Sequence, residues 1–433
     1  MHFYLPGGMI IPSKKGEKCM KRFFALFLLL ILLLTGCAPK DQQTPVTTEP
    51  TAITEPEPTI LTGWQTVDGH RCYYGQDGKP LTGLQEIEGK IYVLGDRGNP
   101  LTGWQTVEDA TYYLGGNGVA MTGWQILDGS KRYFSEEGVL QTGWQQLGDV
   151  RYCFAEDGAF YTGWAEEEGK RIYVKDGQVA AGWCVIGEDS YYFNEDGTAY
   201  SGWLEQDGDK YYFYDDGMMA VGEVEIDGTA CHFLANGKRF ILANPWNYIP
   251  KDYEVELGKY SGKKMAKACI EPLKAMLKDC RAAGHGVLVV STYRTHAQQA
   301  FLNNRMTNRY LAKGYSPEAA KKKASTISAI PGTSEHQLGY AFDIVDSAYT
   351  KLNYDQAKRP TQKWLMANSW KYGFTLRYPT GKSDITGIIY EPWHYRYVGL
   401  ELAQELFERD ICLEEYFSIL TEAQTARRAA AQQ

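Results

Sequence analysis

No glycine recurs at every third position, although the chain holds 45 of them, so a collagen-like fold is excluded. Long apolar runs are also missing, apart from twelve residues at Phe23–Leu34, which excludes a polytopic membrane protein. That one run is shorter than the ~20 residues a spanning helix needs. Nine cysteines are present with no CxxC pair. Cys269 and Cys280 lie eleven residues apart on one predicted helix, roughly 16 Å, beyond disulfide reach. The cysteines therefore read as small buried apolar residues rather than a disulfide framework. Basic residues are scarce in 61–240, with 13 Lys+Arg against 29 Asp+Glu, which argues against nucleic-acid binding by that half. Residues 241–433 reverse the balance, with 26 against 19. The 433 residues thus divide into segments of different chemistry, as their length also suggests.

The N-terminus reads as an address. Lys21-Arg22 precede the apolar run, and small residues Thr35-Gly36 follow it, the layout of a secretory signal. Met20 fits the start better than Met1. Leu34-Thr35-Gly36-Cys37 resembles a bacterial lipobox, which implies cleavage before Cys37, lipidation of its thiol and an anchor at the outer face of the membrane. Residues 38–60, rich in Pro, Thr and Glu, read as a disordered tether.

A repeat fills 61–240. Gly-Trp recurs at Trp64, Trp104, Trp124, Trp144, Trp164, Trp183 and Trp203, with Leu84 and Glu223 in the same slot of two further units. The period is about 20 residues, and nine units result. Each joins two short aromatic strands through Asp-Gly-type turns, so each predicts a β-hairpin, and hairpins that cannot bury a face alone must stack into a solenoid. These units resemble the choline-binding or glucan-binding cell-wall repeats of Gram-positive bacteria. The resemblance implies that the seven tryptophans help to cage a quaternary ammonium, poorest beside Leu84 and Glu223. The rings could equally be solenoid core or stack on a neutral glucan, so choline-bearing and other wall polymers both stay open as partners.

From about Leu242 the pattern changes to an α+β one. Met265, Cys269, Leu273, Met276, Leu277 and Cys280 recur at helical spacing, with Pro272 expected to kink or divide the helix. A strand follows at Val287–Val290, then helices at Thr295–Lys313 and Pro317–Ser328, and strands around Ala341–Val345 and Tyr395–Val398. The tail from Thr425 to Gln433 is expected to fray. The domain is placed at 241–412, with a C-terminal helix and tail in 413–433. The whole is an all-β hairpin-repeat solenoid followed by an α+β domain.

Three clusters carry chemistry: Ser334 to Asp346 with His336 and Asp343, Glu391 to Tyr395 with Glu391 and His394, and Ser291 to Arg294. Two imidazoles and a carboxylate suit zinc with one position left for water, and a carboxylate beside them suits a general base. Together these clusters resemble the VanY-type zinc carboxypeptidases, which trim D-Ala from peptidoglycan stem peptides. The family pattern S-x-H-x-x-G-x-A-x-D is met by Ser334, His336, Gly339, Ala341 and Asp343. E-P-W-H is met by Glu391 to His394, and S-x-Y-R by Ser291, Tyr293 and Arg294, with Thr292 where Gly is usual. The resemblance implies His336, Asp343 and His394 as Zn2+ ligands, Glu391 as catalytic base, and Arg294 as a catalytic and substrate-holding cation. Ser334, Gln299, Ser291, Tyr293 and Trp393 are implied at the substrate. Trp393 and Tyr340 read equally well as core, His285 and His296 as structural, and Lys321-Lys322-Lys323 as a solvated face. The expected activity is D,D-carboxypeptidase action in the cell envelope. L,D-carboxypeptidase or endopeptidase action, and a non-catalytic wall-binding protein, are the alternatives.

Overall fold

The computed structural model describes residues 60–431. The signal segment, Cys37 and the tether up to residue 59 lie outside the described residues. The described chain forms two compact units: one holds residues up to Ile186 with Tyr191–Tyr200, the other Gly187–Ser190 with Ser201 onward.

Nine antiparallel hairpins run from Gly63–Val67 with His70–Tyr74 to Gly222–Ile226 with Thr229–Phe233. Their turns are pairs such as Asp68-Gly69, both at positive φ (52° and 78°), which matches the strand twist. Units are tied to the next by backbone bonds such as Tyr73 N–H to Gly98 O, 2.9 Å. The aromatics divide their labour by position. The residue closing the second strand (Leu114, Phe134, Phe154, Val174, Phe193) is 1% exposed or less and forms the core. The tryptophans sit on the other face, with Trp104, Trp124 and Trp183 at 37–42% exposure.

In the second unit a four-stranded antiparallel sheet holds β1 (Val287–Ser291), β2 (Ala341–Asp346), β3 (Phe374–Leu376) and β4 (His394–Tyr397) in the order β1-β2-β4-β3. Around it are α1 (Ile270–Ala282), α2 (His296–Leu311), α3 (Pro317–Ser325), α4 (Pro360–Asn368), α5 (Ser383–Thr386), α6 (Leu400–Arg409) and α7 (Leu413–Ala431). α1 lays Leu273, Met276, Leu277 and Cys280 against Val287, Phe342, Ile344 and Tyr395 of the sheet. Strand alternation then sends Asp343 and His394 to the opposite face. On β1 the register shifts between Val289 and Ser291, and this bulge brings Ser291 opposite Asp343.

Three expectations are corrected. Pro272 does not kink a helix, because α1 begins at Ile270 and the missing N–H falls in its first turn. Met265 belongs to the strand Lys263–Ala266, paired with Leu257–Tyr260. The tail does not fray from Thr425: α7 continues to Ala431, with Arg427 paired to Asp189 and Arg428 to Asp216. All seven described cysteines are free, and six of them are buried.

Candidate active site

Asp343 on β2 stands directly opposite His394 on β4 and Ser291 on β1, so three neighbouring strands deliver side chains to one spot. His336 arrives from a short 3₁₀ turn, Glu335–Leu338, that ends on Gly339 at φ 82° and lets the chain re-enter β2. Asp343 Oδ1 lies 3.3 Å from His336 Nε2 and 3.2 Å from His394 Nδ1. One ligand atom from each of the three lies within 4.8 Å of the others, and all three residues are buried. Asp343 Oδ1 has no hydrogen-bond partner although it is buried, so this donor set fits a cation held between an anionic oxygen and two imidazole nitrogens. His336 Nδ1 meets Thr292 O at 2.8 Å; donating that proton leaves Nε2 free as a ligand. His394 uses its ring the other way round, with Nδ1 toward Asp343 and Nε2 toward Glu335 Oε2 at 3.7 Å.

Glu391 reaches the same point through a tight turn, in which His394 N–H donates to Glu391 O. Its Oε2 lies 3.6 Å from His394 Nδ1. Burial pushes the Glu391 carboxyl up to about 8, and a cation held by its three neighbours would act in the opposite direction and favour the carboxylate. Burial and the Arg294 guanidinium push His336 down to about 4. Burial opposes charge on His394 too, but Asp343, Glu335 and Glu391 outweigh it and raise His394 to about 9. Burial would also raise Asp343, yet the His336, His394 and Arg294 side chains hold it well below the usual carboxylate range.

Arg294 closes the site from the β1 side. It donates to Asp343 Oδ2 (2.9 Å), to Ser291 Oγ (2.9 and 3.1 Å) and to Gln299 Oε1 (3.2 Å). Gln299 is 1% exposed and donates to Ala329 O, so Ser291 and Gln299 orient the guanidinium. The capping box of Thr295 and Gln298 fixes the start of α2 just beyond it. A cleft of about 760 Å³ opens beside Arg294, lined by Tyr293, Lys263, Lys264, Gln298 and Phe301. Ser334 is buried at the start of the 3₁₀ turn, and Trp393 is buried with its carbonyl accepting from Ile344. Three groups escaped the sequence reading. Glu335 stands at a variable position inside the Ser334–His336 motif, where the pattern assigns it no role. Tyr378 brings its ring 4.8 Å from that of His394. Arg377, a lone cation between Leu376 and Tyr378, is wholly buried and bonds Glu335.

On the repeats, six of the seven tryptophans meet the tyrosine facing them across the hairpin, edge to face, whereas Trp144 faces Cys153. Trp64–Tyr73 is 5.0 Å, Trp124–Tyr133 5.0 Å, and Trp164–Tyr173 5.2 Å between centroids. Neighbouring units add Tyr92 beside Trp64 and Tyr152 beside Trp124. The chain also places its own cations on these faces: Arg71 at 3.7 Å over Trp64, Lys131 at 4.3 Å over Trp124, Arg151 at 4.5 Å over Trp144 and Arg171 at 3.9 Å over Trp164. In the ninth unit the facing pair is Glu223 and His232 instead, 3.0 Å apart.

A buried His–Asp–His cluster with an adjacent high-pKa carboxyl, seated on an antiparallel sheet, defines a metallohydrolase-type centre. Residues 262–400 match the VanY family model, D-alanyl-D-alanine carboxypeptidase, and residues 101–139 and 180–223 match the choline-binding repeat. Residues 262–400 are thus a VanY-type segment, and the hairpins before them include choline-binding-type repeats. It is 42% identical over 180 residues to a D-alanyl-D-alanine carboxypeptidase of Enterococcus faecalis, a match covering 41% of this chain and 65% of that protein. The chain thus spans less than two thirds of that relative. Two solved structures are each 41% identical over 41% of this chain. One is VanYB in complex with D-alanine-D-alanine (96% of that chain, TM-score 0.39). The other is a mutant vancomycin-resistance D,D-pentapeptidase VanY in complex with Zn(II) (97%, TM-score 0.38).

Proposed function

We propose that this protein is a zinc D,D-carboxypeptidase of the cell envelope, removing the C-terminal D-Ala from peptidoglycan stem peptides while its repeats hold a wall polymer. The carrying observation is the convergence of His336, Asp343 and His394 with Glu391 beside them. His336 Nε2, Asp343 Oδ1 and His394 Nδ1 would hold the metal. Bound there, zinc supplies Lewis acidity to water and to the scissile carbonyl. Glu391 takes the proton of the attacking water at Oε2 and returns it to the leaving D-Ala amine. Arg294, fixed by Ser291 and Gln299, presents positive charge to the developing oxyanion or the terminal carboxylate. Lys263 and Lys264 in the adjoining cleft suit an anionic stem peptide.

Signal cleavage and lipidation at Cys37 complete this reading and rest on the sequence alone. For the repeats, Arg71, Lys131, Arg151 and Arg171 lie closest over their rings, with Arg132 and Arg239 farther over Trp104 and Trp203, so choline-bearing polymer has to displace a tethered cation at six of the seven tryptophans. A neutral glycan would stack on those same ring faces and meets the same tethered cations.

The test is mass spectrometry of defined muropeptides after incubation with the full exported chain and zinc, with a chelator control. Chelator-sensitive loss of one alanine from pentapeptide, and none from tetrapeptide, is expected. Loss from tetrapeptide alone would move the specificity to L,D. No cleavage by the zinc-loaded protein would refute the carboxypeptidase reading.

A further inference from the structure

The catalytic unit contains a second constellation of charge behind the metal ligands, which starts at Glu335 and Arg377 and runs through Glu414 beyond the matched segment 262–400. Glu335 turns Oε2 toward His394 Nε2 and takes Arg377 Nε on Oε1 at 2.8 Å. Arg377 then binds Glu414 of α7 with both terminal nitrogens, at 2.9 and 2.6 Å. Side chains of Glu335 and Arg377 are 0% exposed and that of Glu414 is 11% exposed. Asn244 donates to Glu414 at 3.0 Å. α7 is itself clamped by the last repeat. Thr421 Oγ1 accepts from Glu223 N–H, and Gln424 bonds Val221 N–H and Met219 O. Helix and strand approach so closely that a Cβ on Gly222 would lie 2.6 Å from Thr421 N.

We infer that Glu414 is a positioning residue for the metal centre: through Arg377 and Glu335 it fixes the imidazole of His394, and the last repeat holds the helix that carries it. The inference rests on His394 being a metal ligand. A ligand imidazole that offers Nδ1 needs an acceptor beyond Nε2 to set its orientation and basicity, and Glu335 Oε2 faces it at 3.7 Å, an ion-pair distance longer than a hydrogen bond, with both atoms buried and otherwise unpartnered. A wholly buried carboxylate needs a counter-charge, and Arg377 at 2.8 Å supplies it, with Arg396 farther off at 3.6 Å; a wholly buried guanidinium flanked by one carboxylate would draw that carboxylate to itself. Glu414, gripping Arg377 in a two-point fork, leaves Glu335 Oε2 free to face His394.

Cobalt(II) titration of the metal-free full chain tests this, with the visible ligand-field spectrum and chelator-competition affinity as readouts. Three proteins are compared: wild type, E414Q and E415Q. Glu415 lies on the same helix turn but pairs with Lys382 and the Cys412 N–H, so its loss is a structural control. The expected result is a shifted spectrum and about tenfold weaker metal binding for E414Q, with E415Q like wild type in both. Should E414Q not fold, E414D, which keeps the charge and shortens the reach, is read in the same way. A folded Glu414 variant with wild-type spectrum and affinity would overturn the inference. Wild type that binds no cobalt would overturn the metal reading beneath it and this inference together, and the two failures are told apart by that arm alone.

Discussion

The repeat region and the catalytic unit use charge in opposite ways. On the repeats, Arg71, Lys131, Arg151 and Arg171 lie over half-open tryptophan rings, where each contact is worth about 0.5–1 kcal/mol and any one can be lost. In the catalytic unit Glu335, Arg377, Asp343 and His394 are buried, and each holds its charge because a specific partner lies against it. A charge over an exposed ring tunes affinity. A buried charge fixes geometry, and removing one member leaves another uncompensated.

The contrast can be broken most sharply at the metal centre. D343N removes the anionic oxygen shared by both imidazoles, and metal-dependent peptide cleavage should fall to background, with stoichiometric zinc lost on dialysis. R377M removes the nearer of the two cations on Glu335, leaving Arg396 at 3.6 Å, and takes the forked partner from Glu414, so urea unfolding should show a loss of about 3–5 kcal/mol. A change under 1 kcal/mol would show the buried network to be as tolerant as the repeat surface.

The pH dependence of metal uptake sharpens the comparison further. In the metal-free protein His394 is protonated up to about pH 9, whereas His336 is neutral above about 4. Zinc therefore displaces one proton, and its apparent affinity should rise about tenfold per pH unit from 5 to 8 and level off above 9. A calorimetric titration in buffers of different ionisation enthalpy counts that proton. By the same linkage, protonated His394 stabilises the metal-free fold below its unfolded value near 6.5, and that contribution is lost as pH rises through 9. The smallest effect belongs to the repeats: R171A uncovers the Trp164 face and should raise choline affinity only two- to fivefold, whereas W164A should abolish binding at that position. Unchanged choline binding in both would exclude that ring as a choline seat.

What the sequence disclosed follows the same division. The hairpins were legible because a 20-residue period repeats one local pattern nine times, and the Asp-Gly turns carry their own φ requirement. His336, Asp343, Glu391 and His394 were legible because each sits in a short fixed spacing with a reason in the chemistry. Arg377 and Glu414 carry no such mark. They lie 42 and 79 positions beyond Glu335, and only the β3–β4 pairing and the docking of α7 bring them together. Pro272 was misread because its effect depends on where the helix starts. The helix from Thr425 to Ala431 was not legible because composition gives no sign of Asp189 and Asp216, which hold Arg427 and Arg428.

The central claim, that His336, Asp343 and His394 hold zinc while Glu391 moves the proton, is tested most directly by E391A. Zinc content and pentapeptide turnover would be measured on the same preparation as wild type. One zinc per chain in both proteins, with turnover in E391A lower by a factor of about 10²–10⁴, is the predicted result. Wild-type turnover in zinc-loaded E391A, or an active wild type without zinc, would contradict it.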